Sequence, residues 1–326
     1  MSISRRTFLE ATALGGMTAC FPTAAIAETT ALPTRPLGKT GARVSILAMG
    51  GGSRYLMYKE EEQALEALQK ALDLGITYID TSDDYGDNHL SERRIGKVLK
   101  PRKQKPFLAT KLSNRNGQES AQIVEQSLTA LQVEQVDLIH IHSLTTEQDL
   151  ARIEAKGGVL DQLLKLRDQK MTRFIGITSH TDPHVLKTAL ERHDFDCTQM
   201  ALNGALVGMK GGEQGMVPNP AMPPSFETVA LPVATRKHVG VIAMKVFAQD
   251  ALLRDATPKE LLYYSLSLPV TTAVVGMPKL DHIEENIALA KSFSPLSKSE
   301  MERIAGKLSP TNKAKLDLFF STHVDS

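Results

Sequence analysis

A closed (β/α)8 barrel of the TIM type, an α/β fold, is the architecture this sequence predicts, and three observations carry it. From about Glu60 onward short β-branched runs alternate with helical patterns of the length expected of βα units. Eight of each can be counted. The 326 residues, 42% hydrophobic and 23% charged, suit one such barrel without a second large domain. A net charge of +1 with no long basic run gives no reason to expect nucleic acid or an anionic membrane as partner.

The first residues follow a different pattern. Ser4-Arg5-Arg6-Thr7-Phe8-Leu9 precedes a weakly apolar stretch from Ala11 to Phe21, and Ala25-Ile26-Ala27 has the A-x-A form of a cleavage site. That order reads as a twin-arginine signal peptide over residues 1–27, followed by a single barrel domain over 28–326. The expected destination is the periplasm or another exported location, with the twin-arginine translocon as a transient partner. An amphipathic first helix is disfavoured because Gly15-Gly16 and Pro22 interrupt it. Met17-Thr18-Ala19-Cys20 offers an alternative, a lipoprotein anchor through Cys20, although Met stands where Leu is usual. After cleavage at Ala27, Cys197 is the one remaining cysteine, so no internal disulfide can form.

Arg35 to Val44 contains turn residues and is expected to form a hairpin that plugs the N-terminal end of the barrel. The expected strands are Ile46 to Met49, Thr77 to Asp80, Phe107 to Lys111, Asp137 to His142, Phe174 to Thr178, Cys197 to Leu202, Val241 to Met244 and Ala273 to Val275. Helical patterns run over Glu61 to Leu74, Ser91 to Leu99, Glu119 to Leu131, Gly158 to Gln169, Pro183 to Arg192, Phe226 to His238, Thr257 to Leu268 and His282 to Lys291. One connection breaks the rhythm. Asn203 to Ser225 is Gly-, Pro- and Met-rich and far longer than an ordinary βα loop, which suggests a lid or substrate wall, with a disordered insertion as the alternative.

Strand periodicity then brings side chains together. Ile76, Tyr78 and Asp80 share one face of the second strand, Phe107, Ala109 and Lys111 one face of the third, and Leu138, His140 and His142 one face of the fourth. In each case a polar residue ends the strand, and in a parallel barrel those ends converge on one mouth. Asp80, Lys111 and His142 are therefore expected to meet, with Tyr85 above them from the following loop. An Asp–Lys pair there is ordinary charge compensation. A phenol beside it has a further use: it titrates at about 10, and a neighbouring ammonium favours its phenolate, so it can pass a proton to an oxygen becoming an alkoxide. His142 would orient that oxygen. Such a site provides no hydride donor of its own, which implies a nicotinamide cofactor.

"ITYIDTSDDYGDNHLSERRIGKVL", "FLATKL" and "DLIHIHSL" resemble the three segments that carry the Asp-Tyr-Lys-His tetrad of the aldo-keto reductase superfamily, here Asp80, Tyr85, Lys111 and His142. The resemblance runs from about Arg35 to Leu289 and implies reduction of aldehydes or ketones to alcohols, or the reverse, with NAD(P)(H). It also implies cofactor positions. Ser179 in "FIGITSH" and Gln199 in "FDCTQMALN" match residues that hold the nicotinamide amide, while His180 stands where Asn is usual. Met244 or Lys245 falls where many members stack a Tyr on the nicotinamide. "VVGMPKLDHIEENIALA" resembles the adenosine-binding stretch, with Glu285 and Asn286 in the expected places. Gly276 and His282 occupy positions where NADPH-using members are often basic; Lys279 is a substitute, so NADP(H) is favoured and NAD(H) remains open. Gly50-Gly51-Gly52 lacks the dinucleotide fingerprint spacing, which this family does not need.

Two other classes compete. His140 and His142 with Asp80, Asp83, Asp84 and Asp87 invite a metal-dependent hydrolytic barrel, but Lys111 in the same mouth would repel a cation. The preferred reading has no metal ligand and treats His140 as a hydrogen-bonded interior histidine. A non-catalytic nicotinamide-binding regulatory protein is the other alternative. An iron–sulfur cluster is excluded for want of cysteines, Cys197 is expected to be a core residue, and Arg93-Arg94 a solvated helix face. The overall expectation is a barrel, monomeric or weakly associated, acting on a small carbonyl or alcohol.

Overall fold

Short apolar strands with no polar face need a sheet covered on both sides, and a parallel barrel wrapped in helices supplies it. The computed structural model describes residues 31–206, 209–212, 215–218, 225–248 and 250–308. The expected signal peptide, the expected cleavage site and Cys20 lie outside the described residues.

In chain order the strands are β1 (Thr34–Pro36), β2 (Arg43–Ser45), β3 (Leu47–Gly50), β4 (Tyr78–Asp80), β5 (Phe107–Leu112), β6 (Val136–Ile141), β7 (Thr172–Ser179), β8 (Cys197–Ala201), β9 (Met209–Gly212), β10 (Gly215–Pro218), β11 (Gly240–Met244) and β12 (Thr272–Val275). The helices are α1 (Glu61–Asp73), α2 (Leu90–Leu99), α3 (Gly117–Leu131), α4 (Glu147–Glu154), α5 (Val159–Asp168), α6 (Pro183–Arg192), α7 (Phe226–Arg236), α8 (Pro258–Ser267) and α9 (Leu280–Lys291). The barrel closes in the order β11-β12-β3-β4-β5-β6-β7-β8, with β8 paired to β11 in parallel register. All eight expected strands are in it.

Local chemistry explains several helix starts. Asn116 accepts the Gln118 and Glu119 N–H groups ahead of α3, Asp182 caps α6 in front of Pro183, and Thr257 with Glu260 forms a capping box on α8. Helix α4 was not anticipated: it is two turns long, too short for a clear stripe, although Thr146 caps it by accepting from the Asp149 N–H.

The hairpin of β1 and β2 closes the barrel floor as expected. Its turn uses Gly38 and Gly41 at positive φ, and a side chain on Gly38 would collide with the backbone of His238 to Gly240. Leu37 and Val44 pack with Tyr78, Phe107, Leu138 and Cys197 in an interior cluster. Cys197 is thus the core residue it was expected to be. In the long connection after β8, β9 and β10 pair as an antiparallel hairpin, so that segment carries regular structure of its own.

Candidate active site

Asp80 is the last residue of β4, Lys111 the next-to-last of β5, and His142 directly follows β6. Register sets Asp80 beside Ala109 and Lys111 beside His140, so these side chains stack in neighbouring layers at the same mouth. All are withdrawn from water: Asp80 and Lys111 are each 2% exposed, His142 4% and Tyr85 9%. The Lys111 ammonium donates to Asp80 Oδ2 at 2.6 Å, to the Thr81 carbonyl at 2.8 Å and to Tyr85 Oη at 3.0 Å. Its three hydrogens are therefore all placed, which is what a buried ammonium requires. Because Tyr85 Oη accepts from Lys111, its own hydrogen is directed to some other acceptor. His142 meets the Tyr85 ring edge-on, with centroids 5.8 Å apart.

The triple glycine that begins at the last residue of β3 has a role that its spacing alone did not reveal. A Cβ on Gly51 would fall 2.9 Å from the Asp80 carbonyl and 2.7 Å from Ser91 Oγ, and one on Gly52 would press on the Tyr85 ring at 3.2 Å. Gly51 and Gly52 are small because the chain leaving β3 passes directly against the Asp80 backbone carbonyl, Ser91 and the phenol ring. Ser91 fastens this junction, donating to the Gly51 carbonyl at 2.8 Å and accepting from Thr81 Oγ1 at 2.8 Å. Its neighbour Glu92 is fully buried, accepting from Thr110 Oγ1 at 2.6 Å and facing His89 Nδ1 at 2.7 Å. That hydrogen bond raises the pKa of His89.

Arg94 corrects the expectation of a solvated helix face. It is 4% exposed, its guanidinium stands 5.9 Å from the Tyr55 ring centroid, and its Nε and Nη1 have no hydrogen-bond partner among the described residues. Two adjacent residues on a helix point about 100° apart, so Arg93 and Arg94 could not share one face. His140 also differs from expectation. It is buried, but neither ring nitrogen has a hydrogen-bond partner among the described residues, and burial, then Lys111 and His142, push its pKa well down. Gly176 leaves the room its imidazole occupies. Among the described residues no three His, Cys, Asp or Glu side chains group so as to hold a metal ion.

A cavity at this mouth brings Asp80, Tyr85 and His142 together with Gln199, Met244, Lys245 and Gly276. A match to the Aldo/keto reductase family covers residues 47–260, well over half of the chain. The chain belongs to the aldo/keto reductase family. It is 26% identical over 316 residues to L-galactose dehydrogenase of Arabidopsis thaliana, covering 82% of this chain and 91% of that protein. The holo form of an aldo-keto reductase from Bacillus halodurans superposes with a TM-score of 0.68 at 23% identity, over 84% of this chain and 96% of that one. An aldo-keto reductase from Klebsiella pneumoniae in complex with NADPH gives 0.65 at 19% identity, over 85% and 95%.

Within this aldo/keto reductase the other residues singled out from sequence fall into two sets. Gln199, Met244, Lys245 and Gly276 line the cavity. Ser179 is buried at the end of β7, but its hydroxyl donates to the Leu144 carbonyl at 2.7 Å and it does not line the cavity. Lys279 precedes α9, and His282, Glu285 and Asn286 lie in its first two turns, where Asn286 is buried and Glu285 exposed. None of these four lines the cavity. Sequence reasoning missed Arg54 and Asp250, which do, and which form a 2.9 Å ion pair between the segments after β3 and β11. Gly276 explains part of this: a Cβ there would meet the Arg54 Cβ at 2.5 Å, so the glycine makes room for the arginine.

Proposed function

We propose that this chain is a nicotinamide-dependent oxidoreductase that interconverts a small carbonyl compound and its alcohol, with Tyr85 as the proton donor to the carbonyl in reduction. The observation that carries the reading is the Lys111 ammonium, neutralised by Asp80 and hydrogen-bonded to Tyr85 Oη in the wall of a cavity that His142 shares. A bound nicotinamide supplies or accepts the hydride. The chain's own groups do the rest. Lys111 stabilises charge left on the phenol oxygen when its proton is given up, Asp80 holds Lys111 in place, and His142 orients the reacting oxygen.

The residues present fit such a cofactor. Gln199 is 2% exposed, and its Oε1 has no hydrogen-bond partner among the described residues, so a carboxamide N–H would satisfy it. Gly50 and Gly276 keep the wall open beside it. NADP(H) is the favoured form: Lys279, three positions beyond Gly276, is a basic residue for a 2′-phosphate, and the Klebsiella neighbour is described with NADPH. For the substrate, the carboxylates Asp83 and Asp84 beside His142 disfavour an acid and favour a neutral, hydroxyl-bearing carbonyl compound. The Arabidopsis relative, named for L-galactose, is consistent with that class.

Purified protein mixed with NADPH or NADH should change the cofactor's fluorescence on binding and should reduce one or more of a panel of aldoses and simple aldehydes, with no loss on treatment with chelator. Failure to bind either nicotinamide, or activity that a chelator abolishes, would overturn this assignment. The segment Ser4-Arg5-Arg6-Thr7-Phe8-Leu9 supports export of the folded chain by the twin-arginine route, and outside the cytoplasm a cofactor loaded beforehand and retained through turnover would remove the need for an external pool. Replacing Arg5 and Arg6 by Lys should then hold the protein in the cytosol; an unchanged distribution between fractions counts against export.

A further inference from the structure

Two serines flank the His142 imidazole, and each has one hydrogen to give. Ser82 Oγ donates to Asp83 Oδ1 at 3.1 Å and lies 3.3 Å from His142 Nδ1. Ser113 Oγ donates to Asp84 Oδ2 at 2.6 Å and lies 3.0 Å from the same nitrogen. Asp84 Oδ2 is itself 3.5 Å from Nδ1. A hydroxyl whose proton is committed turns only lone pairs to its other neighbours, and an ionised carboxylate has no proton at all. Three acceptors thus converge on one ring nitrogen, so that nitrogen must carry a hydrogen. Turning the ring over would set a carbon against all three, a worse arrangement.

The charges agree. Burial works to raise the pKa of Asp84, but the hydrogen bond and charge of His142, with Ser113 and Ser82, outweigh it and hold the carboxyl below the usual carboxylate range. Asp83 is pushed up to about 6, first by burial and then by Asp84, so above that pH both are carboxylates. Among the described residues the other titratable or charged groups near the ring are Tyr85 at its edge, Lys111 from β5, which holds the Tyr85 oxygen, His140 two residues back along β6, and Arg115, whose Nη2 donates to the His142 carbonyl at 2.7 Å.

We propose that Asp84 with Ser113, and Asp83 with Ser82, are positioning residues that fix Nδ1 of His142 as the hydrogen-bond donor, so that Nε2 presents a lone pair when the ring is neutral and a hydrogen only when it is imidazolium. The catalytic consequence rests on the carbonyl oxidoreductase reading above. No hydrogen bond from a described residue reaches Nε2, and His142 lines the cavity. A charged ring donates to a carbonyl oxygen, which suits reduction; a neutral ring accepts from a hydroxyl, which suits oxidation of an alcohol. The His142 contribution to the two directions therefore changes with pH in opposite senses.

The decisive measurement is a long-range nitrogen–proton NMR correlation on 15N-histidine-labelled protein without cofactor or substrate, with His142 assigned by loss of its signals in His142→Gln or by contacts to the Tyr85 ring. In the neutral ring Nδ1 should carry the hydrogen and Nε2 should be bare. A bare Nδ1 with a protonated Nε2 in the neutral ring would overturn the proposal, whether or not the protein turns over any substrate. A kinetic arm uses Asp84→Asn, whose amide can turn a donor toward Ser113 and Nδ1 where the carboxylate could only accept, and so admits the other neutral tautomer. The change in reduction rate between about pH 6 and about pH 9 should then shrink by roughly tenfold, with cofactor affinity unaltered and Asp84→Glu restoring the original profile. A uniformly slower variant with an unchanged profile would reduce Asp84 to a structural role; if the variant does not fold, the measurement on the unaltered protein still decides.

Discussion

Replacing Tyr85 by Phe should lower the rate of the chemical step by about 10²–10⁴-fold, the range lost with a proton-transferring group, while nicotinamide still binds. The ring stays, and with it the packing against Gly52 and the edge contact to His142. Lys111 keeps two of its three acceptors, Asp80 Oδ2 and the Thr81 carbonyl, so the cost in stability should be only about 1–2 kcal/mol. Other tyrosines show why this one is singled out. Burial raises the pKa of Tyr58 to about 12 and that of Tyr78 well above its ordinary value, making both poorer acids. Tyr85 is nearly as withdrawn from water, but an ammonium sits 3.0 Å from its oxygen. A single-turnover measurement with saturating cofactor checks the expectation. A rate within about threefold of the unaltered protein would remove Tyr85 from the mechanism and leave the Asp80–Lys111 pair as structural compensation.

Much of this site could be read from sequence because period-two alternation fixes which strand residues point inward, and Asp80, Lys111 and His142 each lie at or just beyond the end of a short apolar strand. Tyr85 was legible for a weaker reason, its order in a family pattern, since a loop residue has no periodicity to place it. What stayed hidden depends on contacts between segments far apart in the chain. The glycines at 51 and 52 are explained only by the approach of β3 to Asp80 and Tyr85. Arg54 and Asp250 are nearly 200 positions apart and meet only because the barrel closes. Arg94 looked solvated because burial of a guanidinium against Tyr55 leaves no local mark. No sequence pattern marks the serines at 82 and 113; only the distances to His142 and the neighbouring carboxylates show where each hydroxyl hydrogen goes.

Lys111→Met should damage stability and chemistry together, and a second substitution separates them. Removing one member of a buried ion pair typically costs about 3–5 kcal/mol, because the partner is left charged and unmatched. Here the partner is Asp80, 2% exposed, whose Oδ1 already has no hydrogen-bond partner among the described residues. The thermal midpoint should fall on the order of 10 °C for a domain of this size. Asp80→Asn in the same chain removes the stranded charge, since an amide of the same shape is far cheaper to bury than a carboxylate, and most of the lost stability should return. Activity should not return. The double variant still lacks the ammonium that stabilises charge on Tyr85 Oη, so its chemical rate should remain at least about 10²-fold below that of the unaltered protein. Melting curves and single-turnover rates on the two variants distinguish the roles. Recovery of both stability and rate would mean that Lys111 serves only to compensate Asp80; recovery of stability alone assigns Lys111 to the reaction, because the one function the amide cannot replace is the positive charge beside the phenol oxygen.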